Sequence, residues 1–311
     1  METVKTLIGF CLSIAVFLVS LRLMSESVQN AIGARLRKIL AVFTFNPLTA
    51  AISGAAVTAL VQSSSAVAAV MVALVNAGVL TLSQAFGVIL GANVGTTVTA
   101  QIAALDLSHM IVPLILCGLF LLPINRRTHY AGMALIGLGG LFLGLSLLRL
   151  SLTPILGCRW VQSVLISLSR NALAAVLAGV AVTAVVQSSS AVTSVVIVLG
   201  QAQAISLVGA IAIAFGSNIG TVLTTLISSI GMNREAKAAA YADLIFNVLG
   251  VALMLPLIQG FAGLVSLTSP DLGRQIANAH TLFNAFTAVC ALVLIDPLVR
   301  LAGKMAGIRQ Y

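Results

Sequence analysis

An eleven-residue stretch, Val57-Thr-Ala-Leu-Val-Gln-Ser-Ser-Ser-Ala-Val67, returns 125 positions later as Val182-Thr-Ala-Val-Val-Gln-Ser-Ser-Ser-Ala-Val192. At the same offset Gly91-Ala-Asn-Val-Gly-Thr96 returns as Gly216-Ser-Asn-Ile-Gly-Thr221, Asn46 as Asn171 and Gly54 as Gly179. About 25 of the 54 positions from 46 to 99 are identical without a gap. Shared apolar composition would not reproduce a polar tetrad and an Asn-x-Gly-Thr element at one spacing, so the chain is a duplication. The first apolar stretch, shifted equally, falls on Tyr130–Leu150, which extends the repeat to the whole half.

Composition decides the solvent in which those halves fold. Only 7% of the 311 residues are charged against 60% hydrophobic, where a soluble domain carries about 25% charge. A water-facing surface cannot be built from that supply, which excludes an ordinary soluble enzyme, and disorder needs the opposite composition. Twenty-six glycines without a short period exclude collagen-like and low-complexity chains. The net charge of +9 comes from Lys and Arg scattered through short loops and helix ends. It reads as positive-inside bias rather than as a nucleic-acid surface. Cys11, Cys117, Cys158 and Cys290 stand singly and read as small buried hydrophobes. The N-terminus lacks the pattern of a cleaved signal.

Apolar runs give Thr6–Met24 as a first span, followed by an amphipathic interfacial stretch, Ser25–Phe45, bearing Arg35, Arg37 and Lys38. Asn46–Val79 is split by its Gln-Ser-Ser-Ser into arms of about 14–16 residues, too short to cross alone. That predicts a re-entrant hairpin. Leu80–Leu105, broken at Gly91–Thr97, and then His109–Ile124 and Tyr130–Leu150 complete the first pass. The second hairpin follows, then Ser206–Ile230 with a break at Gly216–Thr221, Ala238–Gln259 and an unpaired Ala277–Leu298. The expected fold is an all-α polytopic membrane protein with about seven full spans, two re-entrant hairpins and two broken transmembrane helices. Three spans separate the hairpins, so the repeats are inverted and their tips meet near the midplane. The parts are a first repeat over 1–129, a second over 130–260, and a last span with a short tail over 261–311. The side carrying Arg35, Arg37, Lys38, Arg126, Arg127, Arg234, Lys237, Arg300, Lys304 and Arg309 holds about twice the Lys and Arg of the other. It is expected to be cytoplasmic, placing the N-terminus outside and the C-terminus inside a cell (inner) membrane.

Polar backbone at membrane depth is tolerated only against protein or a watery cavity. Serine caps helix starts well, so each tip can aim free N–H groups and a positive helix end at a ligand. Gln62, Ser63, Ser64 and Ser65 facing Gln187, Ser188, Ser189 and Ser190 make an anion site with no Lys or Arg in either tip. The elements holding Asn93, Thr96, Asn218 and Thr221 add oxygens and freed carbonyls that suit Na⁺. An anion beside a cation is the logic of symport. A competing reading is that small polar residues only let helices approach closely.

Paired Gln-Ser-Ser-Ser hairpins, each followed by Gly-[Ala/Ser]-Asn-[Val/Ile]-Gly-Thr, resemble the type II Na⁺/phosphate cotransporter family. Arg35–Phe45 leading into Asn46-Pro47, Asp243-Leu-Ile-Phe-Asn247 and His280-Thr-Leu-Phe-Asn284 fit as well, so the resemblance covers nearly the whole chain. It is to a short form, without the C-terminal cytoplasmic helical domain that many bacterial members carry. The resemblance implies Na⁺-driven phosphate movement by alternating access, with inorganic phosphate, Na⁺ and the bilayer as partners and no cofactor beyond the co-transported ion. It implies that the tetrads, with Asn93 and Asn218, cradle phosphate. It further implies that Gln187, Ser188, Thr221 and Thr224 hold Na⁺, with Gln62, Ser63, Thr96 and Thr99 as counterparts. A homodimer stays open. Asp243 stands where the family commonly has His, and the first half has His109-Met-Ile-Val-Pro113 where His-x-x-Phe-Asn is expected.

Asp243 reads either as an intramembrane coupling group with Asn247 one turn on, or as a helix-end charge reaching Arg234 or Lys237. His109 and His280 read as polar anchors, with proton relay the alternative, and His280 and Asn284 as coupling or structural residues; Asp106, Asp271 and Asp296 read as helix-end or loop charges, and Trp160, Tyr130 and Tyr311 as interface residues. Alternatives are a Na⁺- or H⁺-coupled carrier of another oxyanion or carboxylate, an intramembrane serine hydrolase, and a passive channel. The hydrolase needs a base beside the serine, and neither tetrad has one nearby in sequence. The expectation is therefore not an enzyme.

Overall fold

A computed structural model of the chain describes residues 2–32, 44–105 and 107–308, and within them every regular element is helical. Arg35, Arg37, Lys38, Asp106, Arg309 and Tyr311, with most of the expected interfacial stretch, lie outside the described residues. The first pass comprises α1 (Glu2–Ile32), α2 (Pro47–Val61), α3 (Ser64–Asn76), α4 (Leu82–Ala103) and α5 (Ile111–Leu121, entered through a 3₁₀ turn). The second comprises α6 (Arg126–Leu156), α7 (Arg159–Arg170), α8 (Ala172–Val186), α9 (Ser189–Gln201), α10 (Leu207–Ser228) and α11 (Arg234–Met254). Then come α12 (Ile258–Ser266), α13 (Leu272–Val293) and α14 (Ile295–Met305). The bounds of α2, α3 and α4 shifted by 125 are those of α8, α9 and α10. Caps repeat too: Asn46 and Asn171 cap α2 and α8, and Thr81 and Ser206 cap α4 and α10.

Among the described residues, six helices are long and apolar enough to cross a bilayer. The expected first span extends well past Met24, since α1 runs 31 residues, as does its copy α6. Ser25–Ile32 therefore continues the spanning helix rather than starting an interfacial one. The interfacial element is visible in the second half instead. There α7 ends at Arg170 and α8 leaves it at 116°. The expected span at His109–Ile124 is shorter than drawn: Ser108–Leu121 is about 21 Å of helix, against roughly 30 Å of hydrocarbon.

Glycines define how these helices meet. A Cβ on Gly137, Gly140 or Gly144 of α6 would strike Met24, Ser20 or Phe17 of α1, so numbers rise along one helix as they fall along the other. Helices α1 and α6 are thus antiparallel, and since α6 is the repeat of α1, the two halves run in opposite senses. The α2–α4 pair is the reverse case. Gly87 meets Pro47 and Ala50, Gly91 meets Ala51 and Ala55, and Gly95 meets Ala55 and Ala59, so these helices are parallel. Gln84 Nε2 donates to the Thr44 carbonyl at 2.7 Å, which puts both helix starts at one level. The chain goes in along α2, must return along α3 and goes through along α4, which makes the re-entrant hairpin. Val176 against Gly216 and Val180 against Gly220 repeat the arrangement in α8 and α10.

Those contacts also correct the two expected breaks. Both α4 and α10 run unbroken through Gly91–Thr97 and Gly216–Thr221. A Cβ at Gly91 would lie 1.8 Å from the Ala51 oxygen, and one at Gly216 would lie 2.0 Å from the Val176 oxygen. The glycines are there for close helix approach, as small residues four apart are in membranes, and no carbonyls are freed. The cysteine expectation is corrected as well. Cys11 and Cys117 are exposed on the apolar outside of α1 and α5, and Cys158 and Cys290 are half-buried.

Two apolar clusters flank the centre. One gathers Phe17, Leu141, Ile197, Ile211 and Phe283, with Phe215 stacked on Phe283 at 4.1 Å. The other gathers Val61, Met71, Phe86, Leu90, Phe246 and Val299. Each draws on both halves.

Candidate functional site

Each tip is a two-residue reversal. Gln62 adopts φ 59°, ψ 26° and Gln187 φ 58°, ψ 26°, left-handed values that a non-glycine residue rarely takes. The conformation closes the preceding arm: Gln62 N donates to the Thr58 carbonyl at 2.7 Å and Gln187 N to the Thr183 carbonyl at 2.6 Å. The next residue starts the following helix. Ser63 Oγ accepts from Ala66 N at 3.2 Å, and Ser188 Oγ from Ala191 N at 3.3 Å. The first N–H groups of α3 and α9 have no intrahelical partner and carry the positive helix end.

The two tips share one open cavity. Gln62 and Ser63 enter it from one hairpin and Val186 and Ser188 from the other, while Arg22, Ser25, Glu26 and Gln29 line it from α1. Ser25 Oγ donates to the Val61 carbonyl at 2.8 Å, and Gln29 Nε2 donates to Ser25 Oγ at 2.9 Å, which fasten α1 to the first tip. The tips themselves carry no charge, as expected, but their cavity does: Arg22 Nε pairs with Glu26 Oε1 at 2.6 Å. Helical spacing puts Arg22, Ser25 and Gln29 on one face of α1, but the spacing alone does not say that this face meets the tips.

A second, much tighter cavity joins the halves. Its polar lining is Ser64 and Ser65 from α3, Asn93 from α4, Asn218, Thr221 and Thr225 from α10, and Asp243 from α11. Asp243 is 4% exposed. Its Oδ2 accepts from Thr225 Oγ1 at 2.8 Å and its Oδ1 from Asn247 Nδ2 at 2.9 Å. Asn93 lines the same cavity, with its Nδ2 donating to the Ile89 carbonyl at 3.2 Å. Asn247 Oδ1 is buried without a hydrogen-bond partner. The helix-end alternative for Asp243 is not realised, since Arg234 turns away to the Gly307 carbonyl at 2.9 Å. Asn218 is held from behind by α13: His280 Nε2 meets its Oδ1 at 3.2 Å, and its Nδ2 donates to Asn284 Oδ1 at 3.1 Å.

The halves differ at the tip glutamines. Thr99 Oγ1 donates to Gln62 Oε1, and Gln62 Nε2 bonds the Ala59 carbonyl, so the first tip is tied to α4. Gln187 is exposed, and the equivalent Thr224 hydroxyl is buried without a partner, as is that of Thr96. Thr221 Oγ1 donates to the Ser217 carbonyl at 2.9 Å. Ser189 and Ser190 are buried and line neither cavity, and Ser190 Oγ lies 3.2 Å from Ser188 Oγ. The structure thus gathers Gln62, Ser63 and Ser188 in one cavity and Ser64, Ser65, Asn93, Asn218, Thr221 and Asp243 in the next. Arg22, Glu26 and Thr225 were not anticipated from sequence. His109 is exposed at a helix start, away from both.

Spanning helices in an inverted duplication, with polar hairpin tips meeting in one cavity, define a polytopic membrane protein of the transporter kind. The chain belongs to the Na⁺/Pi-cotransporter family, whose pattern matches residues 16–150 and again 152–286. It is 32% identical over 296 residues to the uncharacterized protein YqeW of Bacillus subtilis, covering 95% of this chain and 96% of that one. It is 29% identical over 297 residues to the putative inorganic phosphate export protein YjbB of Escherichia coli K12, covering 95% of this chain but 55% of YjbB. A shorter match, 36% over 105 residues, is to the rat sodium-dependent phosphate transport protein 2A, covering 33% of this chain and 16% of that one. No solved structure matches the chain. Family membership supports phosphate transport.

Proposed function

We propose that the chain carries inorganic phosphate across the cell membrane by alternating access, coupled to Na⁺. The observation carrying this is the convergence of both serine tips on one cavity, each offering hydroxyls and a positive helix end to an anion. The adjoining cavity supplies oxygens suited to a small cation, with Asp243 the buried carboxylate among them. The Gln62–Thr99 tie and the loose Gln187–Thr224 counterpart support alternation, since the same pair is made in one half and unmade in the other. Gln187, Ser188, Thr221 and Thr224 are the proposed Na⁺ ligands, with Gln62, Ser63, Thr96 and Thr99 their counterparts, and Asp243 and Asn247 the coupling pair. The N-terminus lies outside and the C-terminus in the cytoplasm.

A serine hydrolase has less support, because His280 is engaged with Asn218 and reaches no tip serine. The name of the YjbB relatives favours a second reading, outward phosphate movement. Proteoliposomes holding labelled phosphate on one side, with a Na⁺ or K⁺ gradient imposed in either direction, separate the readings. Flux that follows the Na⁺ gradient supports symport; flux indifferent to Na⁺ sinks it. Excess carboxylate competing better than phosphate would move the substrate to another class.

A further inference from the structure

We infer that Arg22, held side-on by Glu26, is an outer oxyanion site through which phosphate reaches the serine tips. The inference rests on the reading of the chain as a phosphate carrier. Arg22 is the one cation among the residues lining the two cavities, and it opens into the larger one, where Ser63 and Ser188 also lie. Only its Nε is engaged by Glu26. The guanidinium has five N–H donors in a planar fork, so its terminal nitrogens remain able to meet two oxygens of a tetrahedral anion.

Glu26 sets the strength of that site. A lone guanidinium beside the tips would hold a dianion firmly and slow its onward step. Paired with a carboxylate one helical turn away, it offers directed donors with little net charge. Both side chains are largely solvent-accessible, at 80% and 53%, so the pair is weakly held and an arriving anion can share the guanidinium. Lateral fastening keeps the site near the tips: Ser25, between the two charges, is bonded to the Val61 carbonyl at the end of the first hairpin arm.

The pair has no copy in the other half. Shifted by 125, Arg22 and Glu26 fall on Leu147 and Ser151. An inverted repeat that alternates between two faces would therefore present this site on one face only. Phosphate is recruited by charge from that side and by neutral donors from the other, giving the carrier a built-in difference between its two faces.

The test is phosphate flux in proteoliposomes of full-length wild type, R22Q, R22K, E26Q and R22Q/E26Q at low ionic strength. Removing one positive charge near a dianion should raise KM about three- to tenfold with kcat little changed. E26Q should move KM the opposite way and slow turnover, R22K should recover part of the affinity, and the double variant should fall between the singles. The shifts should shrink as salt is added. R22Q and E26Q moving KM in the same direction, or both leaving it unmoved while wild type carries phosphate, overturn the outer site alone. No phosphate flux in wild type overturns the functional reading and the outer site with it.

Discussion

Replacing Gly91 by alanine tests the close approach on which the hairpin depends. The added methyl would sit 1.8 Å from the Ala51 oxygen, 2.6 Å from its carbon and 2.8 Å from the Ala55 nitrogen. An ordinary carbon contact is about 3.5 Å, so α2 must move from α4 by roughly 1.5 Å. Both neighbours are backbone, and no side-chain rotamer can absorb that. Overpacking of this kind costs about 1–3 kcal/mol, and the shift would also part Gln62 from Thr99 and misplace the tip. Gly91→Ala should therefore lower the melting temperature of the detergent-purified protein by several degrees and abolish most phosphate flux. Gly9→Ala is the control, because its methyl would meet nothing within 4 Å and alanine is the better helix former by about 1 kcal/mol. A Gly91→Ala protein matching wild type in both melting and flux would refute the parallel α2–α4 contact.

The two middle serines should separate: Ser64→Ala, which removes a hydroxyl from the tighter cavity proposed for the cation, weakens Na⁺ binding by about 1–3 kcal/mol, read from the Na⁺ dependence of flux. Ser189→Ala, outside both cavities, leaves it unchanged; equal shifts in the Na⁺ titration of the two variants would contradict the placement. Ser188→Ala removes the cap of α9 and should cost about 0.5–2 kcal/mol of stability, read by thermal unfolding. Asp243→Leu strands Thr225 and Asn247 at about 1–3 kcal/mol each, while Asp243→Asn keeps an acceptor and much of the stability. If Asp243 couples Na⁺, the Asn variant should lose the steep Na⁺ dependence of flux; an unaltered Na⁺ titration would remove it from the coupling pair.

The duplication, the helical hairpins and the residues of both tips were legible in sequence because each leaves a linear mark. A polar tetrad interrupting an apolar run twice, at one spacing, has few structural meanings. Helix continuity at Gly91–Thr97 was not legible. A glycine that loosens a helix and one that admits a neighbouring backbone look the same in one dimension. The charged wall at Arg22 and Glu26 was missed for a related reason: its residues belong to a spanning helix, and which face of that helix meets the tips is set by contacts far away in the chain.

Sequence by itself therefore determined the solvent, the two-fold repeat and the chemistry offered at each tip, since these follow from composition and local pattern. Tertiary structure alone decided that α1 brings an ion pair to the tips, that Asp243 faces Thr225 rather than Arg234, and that Gln62 is tied down while Gln187 is not. Such choices depend on which surfaces meet, and near-identical repeats can settle into different contacts because their neighbours differ.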